Sequence, residues 1–349
     1  MTGASVLIQS EPNAQAGVRM RLFKSVMVAA LCLSATTAHA AGLRLIKVPT
    51  DGATPMQIAV WSPCAAPAGE VKVRTLTLPG TTDCPVVGDR LPLIAVSHGY
   101  GGSFTGHHDT AETLADAGFV VVAVNHPADT GAGDMTRADT LAVLIERSAD
   151  IKRAIDYMLD AWPDRSKLDP GKIGFFGFSR GGYTGLVVAG ANPDIRKATA
   201  FCTGLYRKPS CEELQRNEIP AQPAVHDPRV KAMVVADPAF GPMFDRDAFK
   251  DIKIPVQIWA SELSGEQGIS EVNPGYVATI NSELPVRADY HVVRNAGHFA
   301  FLAPCSAGMA SALPKLCTDK PGFDRVAFHR EWNADILAFF RKQLDVHQP

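Results

Sequence analysis

Long apolar runs at regular intervals are the clearest pattern in this chain. Five of them are rich in β-branched and aromatic residues, with few polar positions inside each run. Near-continuous runs of this kind are typical of strands in a parallel sheet that is covered on both faces. We therefore predict buried strands over residues 91–99, 118–127, 172–179, 230–238 and 254–262.

Two longer segments repeat their apolar residues with helical spacing, one over 139–162 and one near the C-terminus over 326–344. Alternation of strands and helices predicts an α/β fold with a mostly parallel, doubly wound sheet. Shorter β-like segments precede this alternation at 43–48, 56–62 and 71–78. We expect them to form an antiparallel N-terminal edge of the same sheet.

The first part of the chain, residues 1–40, has the pattern of a secretory signal peptide. From Met20, a basic start is followed by an apolar stretch and by a small-residue exit that ends at Ala40. The apolar stretch is far shorter than the roughly 20 residues that a membrane-spanning helix needs, so no stable membrane insertion is expected. We predict a single domain over 41–349 and a periplasmic or secreted location.

Cysteine content agrees with export. Of the seven cysteines, only Cys32 falls within the signal-peptide segment, and the remaining six are an even number suited to an oxidising compartment. None shows the Cys-x-x-Cys spacing of a zinc site. Sequence proximity favours local pairing among several possible connectivities, namely Cys64 with Cys84, Cys202 with Cys211, and Cys305 with Cys317.

Composition narrows the class of partner. The 349 residues are 46% hydrophobic and 20% charged, with a formal net charge of −2. Such a near-neutral chain without a Lys/Arg run argues against nucleic acid or an anionic membrane as a partner and leaves small uncharged substrates. The stretch over 203–229 interrupts the strand–helix rhythm and is predicted to be a lid-like insertion that influences specificity. The oligomeric state is left open.

A serine between glycines lies directly after one of the predicted strands. The segment GFFGFSRGG (174–182) places Ser179 on a turn between this strand and a helix-like run. Gly177 and Gly181 keep bulk away from such a strained turn, and a helix N-terminus favours developing negative charge. The alternative is a glycine turn whose serine only caps the helix. We predict a nucleophile at Ser179, because the partners that it needs are also present.

A serine hydroxyl needs a histidine to take its proton and a carboxylate to orient that histidine. In proteins with this strand–turn–helix serine, the acid and then the histidine follow the serine in the chain. Of the ten histidines, His291 and His298 are the ones well placed near the last strand-like segment, ADYHVV. His291 lies inside that segment, whereas His298 lies on a glycine-preceded loop after it. His298 is therefore the predicted base.

Two carboxylates end strands that could bring them to His298. Asp237 ends the run VKAMVVAD and precedes a proline that turns the chain out at the carboxyl edge of the sheet. Glu262 ends the next strand in the chain. We favour Asp237 as the orienting acid and keep Glu262 as the alternative acid.

A glycine-rich loop supplies candidate donors for the negative charge that acyl transfer develops. The segment SHGYGGSFTGH (97–107) follows a strand, and glycines allow its backbone to approach a substrate. We predict an oxyanion hole formed by the backbone N–H groups of Tyr100 and Arg180. Four potential metal ligands lie in or beside the loop, namely His98, His107, His108 and Asp109. The sequence shows no second group of ligand-type residues elsewhere that would match them, so no metal or cofactor is expected.

The motifs, taken in chain order, resemble the α/β-hydrolase superfamily: SHGYGG, VVAVNHPADT, GFSRGG, VVADPAFG and AGHFAF. More closely they resemble a dienelactone-hydrolase-like group that includes platelet-activating-factor acetylhydrolases. In that latter family the acid follows the strand after the nucleophile helix, which by resemblance supports Asp237. Dienelactone hydrolases carry Cys where this chain has Ser179, and Tyr100 is similar to an aromatic residue of cutinase-like polyesterases.

These features together predict a secreted serine hydrolase that cleaves small-molecule carboxylic esters through an acyl-enzyme, with Ser179, His298 and Asp237 as its triad. The alternatives are a phospholipase A2 or acetylhydrolase-like lipase, a cutinase-like polyesterase, a peptidase, a lactonase, or a non-catalytic binding protein on this fold.

Overall fold

The apolar runs form the centre of one large sheet. A computed structural model describes residues 41–50, 54–67, 69–74, 76–202 and 208–346. Over these residues the strands are β1 (Gly42–Val48), β2 (Met56–Ser62), β3 (Gly69–Val73), β4 (Leu76–Thr82), β5 (Leu91–Ser97), β6 (Val120–Val124), β7 (Leu168–Phe178), β8 (Val230–Ala236), β9 (Val256–Ser261) and β10 (Asp289–Val293). The predicted signal peptide lies outside the described residues.

The described strands join in the order β10-β9-β8-β7-β5-β6-β2-β1-β4-β3. Strands β5 to β10 pair in parallel, and β2 pairs antiparallel with both β6 and β1. This is the predicted mostly parallel α/β sheet with an antiparallel N-terminal edge. Every residue of β5, β6 and β9 is buried, which is why these segments read as continuous apolar runs.

Helices cover both faces of the sheet. They are α1 (His108–Asp116), α2 (Leu141–Asp160), α3 (Arg180–Val188), α4 (Pro209–Gln215), α5 (Pro274–Glu283), α6 (Ala307–Ala312), α7 (Pro314–Cys317) and α8 (Arg325–Gln343), with short 3₁₀ turns between some of them. Buried side chains of α2, α3 and α5 belong to the core on one face, and those of α1 and α8 belong to the core on the other. The two predicted helices correspond to α2 and α8.

One predicted element differs from the structure. The segment 71–78 was expected to be a single β-like stretch, but it contains the end of β3 and the start of β4, which pair antiparallel as a hairpin. Arg74, the residue after β3, has a φ of 58°, a left-handed conformation that interrupts an extended strand. Neither glycine nor asparagine marks this turn in the sequence, so the apolar pattern alone concealed it.

Three disulfides pair the six cysteines as neighbours. The Cα–Cα distances are 5.9 Å for Cys64–Cys84, 5.6 Å for Cys202–Cys211 and 5.8 Å for Cys305–Cys317, and the local pairing that the sequence favoured is therefore the pairing observed. Among the described residues, no helix combines the length and apolar character that crossing a bilayer requires.

Candidate active site

Ser179 occupies a strained turn at the carboxyl end of β7. Its φ of 56° and ψ of −118° lie in a region that residues with a side chain rarely adopt. A Cβ atom on Gly177 would overlap the carbonyl of Gly181, and one on Gly181 would overlap the carbonyl of Ser97. Because helix α3 begins at Arg180, the turn presents the serine at the N-terminus of a helix.

His298 and Asp237 meet at the same edge of the sheet. Nδ1 of His298 donates to Oδ2 of Asp237 over 2.9 Å, and both side chains are buried. The ring of His298 stacks on Phe178, with 4.5 Å between ring centroids. Since a carboxylate can only accept, the proton lies on Nδ1 and Nε2 is left as the proton acceptor of the imidazole.

The carboxylate of Asp237 is held from the neighbouring strand. Its Oδ1 accepts a 2.7 Å hydrogen bond from the backbone N–H of Ser261, and its Oδ2 also accepts from the hydroxyl of Ser261. Asp237 itself has a φ of 42°, directly after the end of β8. Ser261 therefore fixes the orientation of the Asp237 carboxylate beside His298. Ser261 was not predicted from the sequence.

Glu262, the alternative acid, lies apart from this pair. Its side chain is exposed, and its Oε2 accepts a 2.7 Å hydrogen bond from the backbone N–H of Asn295. His291 lies within β10, as expected, and its ring stacks on Trp259 with 4.2 Å between centroids. The structure therefore brings Asp237, and not Glu262, to His298.

The loop after β5 approaches the serine closely. A Cβ on Gly99 would lie 3.2 Å from the Cβ of Ser179, which is tighter than ordinary packing allows. Among the described residues, the backbone N–H groups of Tyr100 and Arg180 have no protein acceptor. Both residues line the cavity that Ser179 lines, so these N–H groups remain available to a bound ligand.

The side chains of Tyr100 and Arg180 form one wall of that cavity. The Tyr100 hydroxyl donates to Asp139 over 3.0 Å, and the guanidinium carbon of Arg180 lies 4.4 Å from the centroid of the Tyr100 ring. Burial, together with the hydrogen bond to Asp139, raises the pKa of Tyr100 to about 12. The phenol therefore stays neutral at physiological pH.

The cavity has a volume of about 510 Å³ and is lined by Ser179 and His298. Its polar end contains Asp139, Arg180 and an ion pair between Lys208 and Glu271. Its apolar wall consists of Phe178, Phe240, Ile269, Phe299, Leu302 and Leu316. A cavity of this size that combines an apolar wall with a few polar groups suits a small organic molecule.

The described residues also include a second groove and part of the predicted insertion. A second groove of about 700 Å³, which includes Asn125 and Arg153 in its lining, contains none of the predicted site residues. Within the described ranges, no group of three or more His, Cys, Asp and Glu side chains is arranged to hold a metal ion. The predicted insertion at 203–229 contains α4, and Lys208 at its start reaches the cavity; residues 203–207 lie outside the described residues.

Comparison with known proteins agrees with the fold. Residues 84–237 match the model of the Dienelactone hydrolase family. A ferulic acid esterase from Streptomyces cinnamoneus is similar in structure, with a TM-score of 0.60, 16% identity, and coverage of 90% of this chain and 93% of that chain. The chain has an α/β-hydrolase fold.

Two further α/β-hydrolase structures are similar at low identity. A putative dipeptidyl aminopeptidase IV from Bacteroides ovatus has a TM-score of 0.50 and 12% identity. The match covers 87% of this chain and 36% of the Bacteroides chain. A dienelactone hydrolase from Anabaena variabilis has a TM-score of 0.48 and 14% identity, covering 86% and 98%. No curated protein matched the sequence. The family match supports a carboxylic ester hydrolase, and the structural similarities support the fold.

Proposed function

We propose that this α/β-hydrolase is a serine esterase that works through an acyl-enzyme, with Ser179 as nucleophile, His298 as base and Asp237 as the orienting acid. The observation that carries the proposal is the 2.9 Å bond between Asp237 and His298 beside a cavity that Ser179 also lines. The strained serine turn and the helix that begins after it are the further support.

In the first half-reaction, the Ser179 oxygen attacks the acyl carbon while Nε2 of His298 takes the hydroxyl proton. The carbonyl electron pair moves to the oxygen, which accepts hydrogen bonds from the N–H groups of Tyr100 and Arg180. Collapse of this intermediate breaks the ester bond, and His298 returns its proton to the departing alcohol. Water then hydrolyses the acyl-enzyme by the same steps.

The cavity favours esters with a compact apolar acyl or aryl group. A volume of about 510 Å³ holds a ring with a short chain, and the apolar wall has no formal charge. The Streptomyces protein with a similar fold is a ferulic acid esterase, which makes ferulate esters reasonable members of a test panel. Phospholipid, polyester, lactone and peptide substrates represent the alternatives.

The substrate class is tested with a panel on purified protein. Hydrolysis rates would be measured for p-nitrophenyl esters of increasing chain length, a ferulate ester, a lactone, a phospholipid and a peptide. We expect the highest kcat/KM on a short or aromatic ester. A higher kcat/KM on the peptide or phospholipid would contradict the esterase assignment.

We also propose that the protein works in the periplasm or outside the cell. Three disulfides within the described residues are typical of proteins that fold in an oxidising compartment. Intact mass of protein from its native compartment should fit a chain that begins near Ala41 and carries about six fewer hydrogens than the reduced chain. Six free thiols, or an uncleaved N-terminus, would contradict this proposal.

A further inference from the structure

A buried cluster of charges lies beneath the glycine-rich loop, and the chemistry proposed above does not use it. Asp129 and Arg147 are completely buried, and Arg180 is 5% exposed. Removing charges from water is costly unless they are paired and hydrogen-bonded, so the arrangement of this cluster is tightly constrained. Together the three side chains contact the loop after β5 and helix α3, the two elements that contain the predicted oxyanion donors.

The carboxylate of Asp129 bonds to Gly101, next to one predicted donor, and to the side chain of Arg180, whose backbone N–H is the other. Its Oδ1 accepts a 2.8 Å hydrogen bond from the N–H of Gly101, the residue after Tyr100. Its Oδ2 accepts from Nη1 of Arg147 at 2.7 Å and from Nη1 of Arg180 at 3.1 Å. One carboxylate thus joins the loop that contains Tyr100 to the side chain of the residue that follows the serine.

Arg147 extends the connection to the neighbouring elements. From α2, its Nη2 donates to the carbonyl oxygen of His98 and, at 3.2 Å, to the hydroxyl of Ser97. Its Nε donates over 3.1 Å to the hydroxyl of Thr184 in α3. The end of β5, the loop and α3 are therefore tied to one guanidinium group, which is itself fixed by Asp129.

The residues after Asp129 hold the same loop by its carbonyl groups. The Thr130 hydroxyl donates to the carbonyl oxygen of Gly102 at 2.8 Å. The N–H of Gly131 donates to the carbonyl oxygen of Gly101 at 2.9 Å. A Cβ on Gly131 would lie 2.6 Å from the Gly101 oxygen, so the two segments are in close contact. The loop is consequently held on both its N–H and its carbonyl side.

The charges in the cluster persist at neutral pH. Burial alone would raise the pKa of Asp129, but Arg147 and Arg180 together hold this pKa below its ordinary value. Burial lowers the pKa of Arg147 to about 10, which still leaves it a cation at neutral pH. The buried pair of Asp129 and Arg147 is therefore an anion beside a cation, and neither side chain titrates near pH 7.

We propose that Asp129 is a positioning residue that sets the spacing of the two oxyanion donors, the backbone N–H groups of Tyr100 and Arg180. Asp129 does not touch the substrate, and the proposal rests on the function proposed above. Donors to a developing oxyanion must be placed within tenths of an ångström, and loss of one donor commonly costs a factor of about 10² to 10³ in rate. A displaced loop should therefore weaken binding of the transition state more than binding of the ester.

The test is Asp129→Asn, which keeps the shape but replaces one acceptor oxygen with an N–H group that faces two guanidinium groups. We expect kcat to fall about 10²-fold with KM changed less than about threefold. The affinity for an alkyl trifluoromethyl ketone should fall by a similar factor. This inhibitor forms a hemiketal with the serine and places its oxygen where the oxyanion develops.

A matched control is Asp245→Asn, which removes an exposed carboxylate that pairs with Lys197, does not line the cavity and is not bonded to the cluster. It should leave kcat, KM and inhibitor affinity unchanged. If folded Asp129→Asn keeps kcat and inhibitor affinity within threefold of wild type, the proposal is overturned. A lower melting temperature without a change in these two quantities would mean a structural role only, which also overturns it.

If Asp129→Asn does not fold, Arg180→Gln tests the positioning role instead. It removes the bond between the Arg180 side chain and Asp129, and it leaves the Asp129–Arg147 pair and the backbone N–H of residue 180 in place. We expect about a tenfold loss in both kcat and inhibitor affinity, and no change in either would contradict the proposal.

Ser179→Ala distinguishes a failure of the proposed function from a failure of the positioning role. An active Ser179→Ala protein would contradict the proposed function, whereas an inactive one beside a normal Asp129→Asn would contradict only the positioning role.

Discussion

The described residues include two serine–histidine–aspartate sets, one whose serine lies beside a cavity and one whose serine is completely buried. The open set is Ser179, His298 and Asp237, and the buried set is Ser97, His126 and Asp150. In the buried set, the Ser97 hydroxyl lies 2.9 Å from Nε2 of His126, and Nδ1 of His126 lies 3.0 Å from Oδ2 of Asp150. The order of hydrogen bonds is the one that serine hydrolases use, yet Ser97 and His126 are buried and neither lines the cavity beside Ser179.

The surroundings of the two serines differ. Ser97 ends an ordinary strand, is completely buried, and also accepts a 3.2 Å hydrogen bond from Arg147. Ser179 lies on a strained turn beside a cavity of about 510 Å³, with free backbone N–H groups nearby. A nucleophile needs space for the acyl group and donors for the oxyanion, and of these two serines it is Ser179 that lines a cavity together with Tyr100 and Arg180.

The acid–base groups differ as well. Burial, and then the nearby charge of Arg147, holds the pKa of His126 well below its ordinary value, so this imidazole is a poor proton acceptor. Burial raises the pKa of Asp150 to about 6. Asp237 instead receives two hydrogen bonds from Ser261. The comparison indicates that the cavity and the backbone N–H groups beside Ser179, rather than hydrogen-bond order, distinguish the candidate catalytic set.

The largest expected effect comes from changing the two serines in parallel. Ser179→Ala should lower kcat by a factor of about 10⁴ or more, because one member of a triad is removed. Ser97→Ala should keep kcat within about tenfold and instead lower the free energy of unfolding by about 1 to 3 kcal/mol, since buried partners lose a hydrogen bond. Ester hydrolysis measures kcat, and denaturant titration measures the free energy of unfolding. A large loss of kcat in Ser97→Ala, with activity kept in Ser179→Ala, would assign catalysis to the buried set.

Changing the two aspartates should give the next largest effect. Asp237→Asn favours the wrong tautomer of His298, so we expect kcat to fall by a factor of about 10³ to 10⁴ with little change in KM. Asp150→Asn serves as the matched variant and should change kcat less than about tenfold. Comparable large losses from both variants would show that the buried set contributes to turnover.

The pH dependence of stability distinguishes the two carboxylates further. Because the folded-state pKa of Asp150 is raised to about 6 from 3.8, the folded protein retains a proton there that the unfolded chain has lost. Ionisation of Asp150 should therefore destabilise the fold as pH rises from about 4 to about 6, by up to about 2 to 3 kcal/mol. Asp150→Asn cannot ionise, so its stability relative to wild type should rise over this range in denaturant titrations. A pH-independent difference would contradict the raised pKa.

The smallest expected effect is that of Glu262→Gln. Glu262 is exposed and bonded to the backbone of Asn295, so its charge should influence His298 only weakly. We expect kcat to change less than about tenfold. A loss as large as that of Asp237→Asn would show that the two carboxylates act together.

Much of this architecture can be predicted from the sequence. The continuous apolar runs predicted the central strands, because burial on both faces removes the alternation of polar residues. Chain order and strand ends also predicted that His298 and Asp237 would meet, although their catalytic roles remain predictions. The turn after Arg74 was missed because no turn residue marks it in the sequence.

The buried set and the charge cluster could not be predicted in the same way. Ser97, His126 and Asp150 come from separate elements, and only the folded chain brings them together. One signal was available: Arg147 lies on the apolar face of α2, between Leu144 and Ile151. A charged residue in such a position requires a buried partner, but the sequence does not say that the partner is Asp129.

Labelling with a fluorophosphonate tests directly whether Ser179 is the nucleophile. The phosphorus of this reagent forms a bond to an activated serine oxygen as fluoride leaves. Peptide mass mapping would locate the label in wild type, Ser179→Ala and Ser97→Ala. We predict a single label on Ser179 in wild type and in Ser97→Ala, and none in Ser179→Ala. Label on Ser97, or label that persists in Ser179→Ala, would contradict the account.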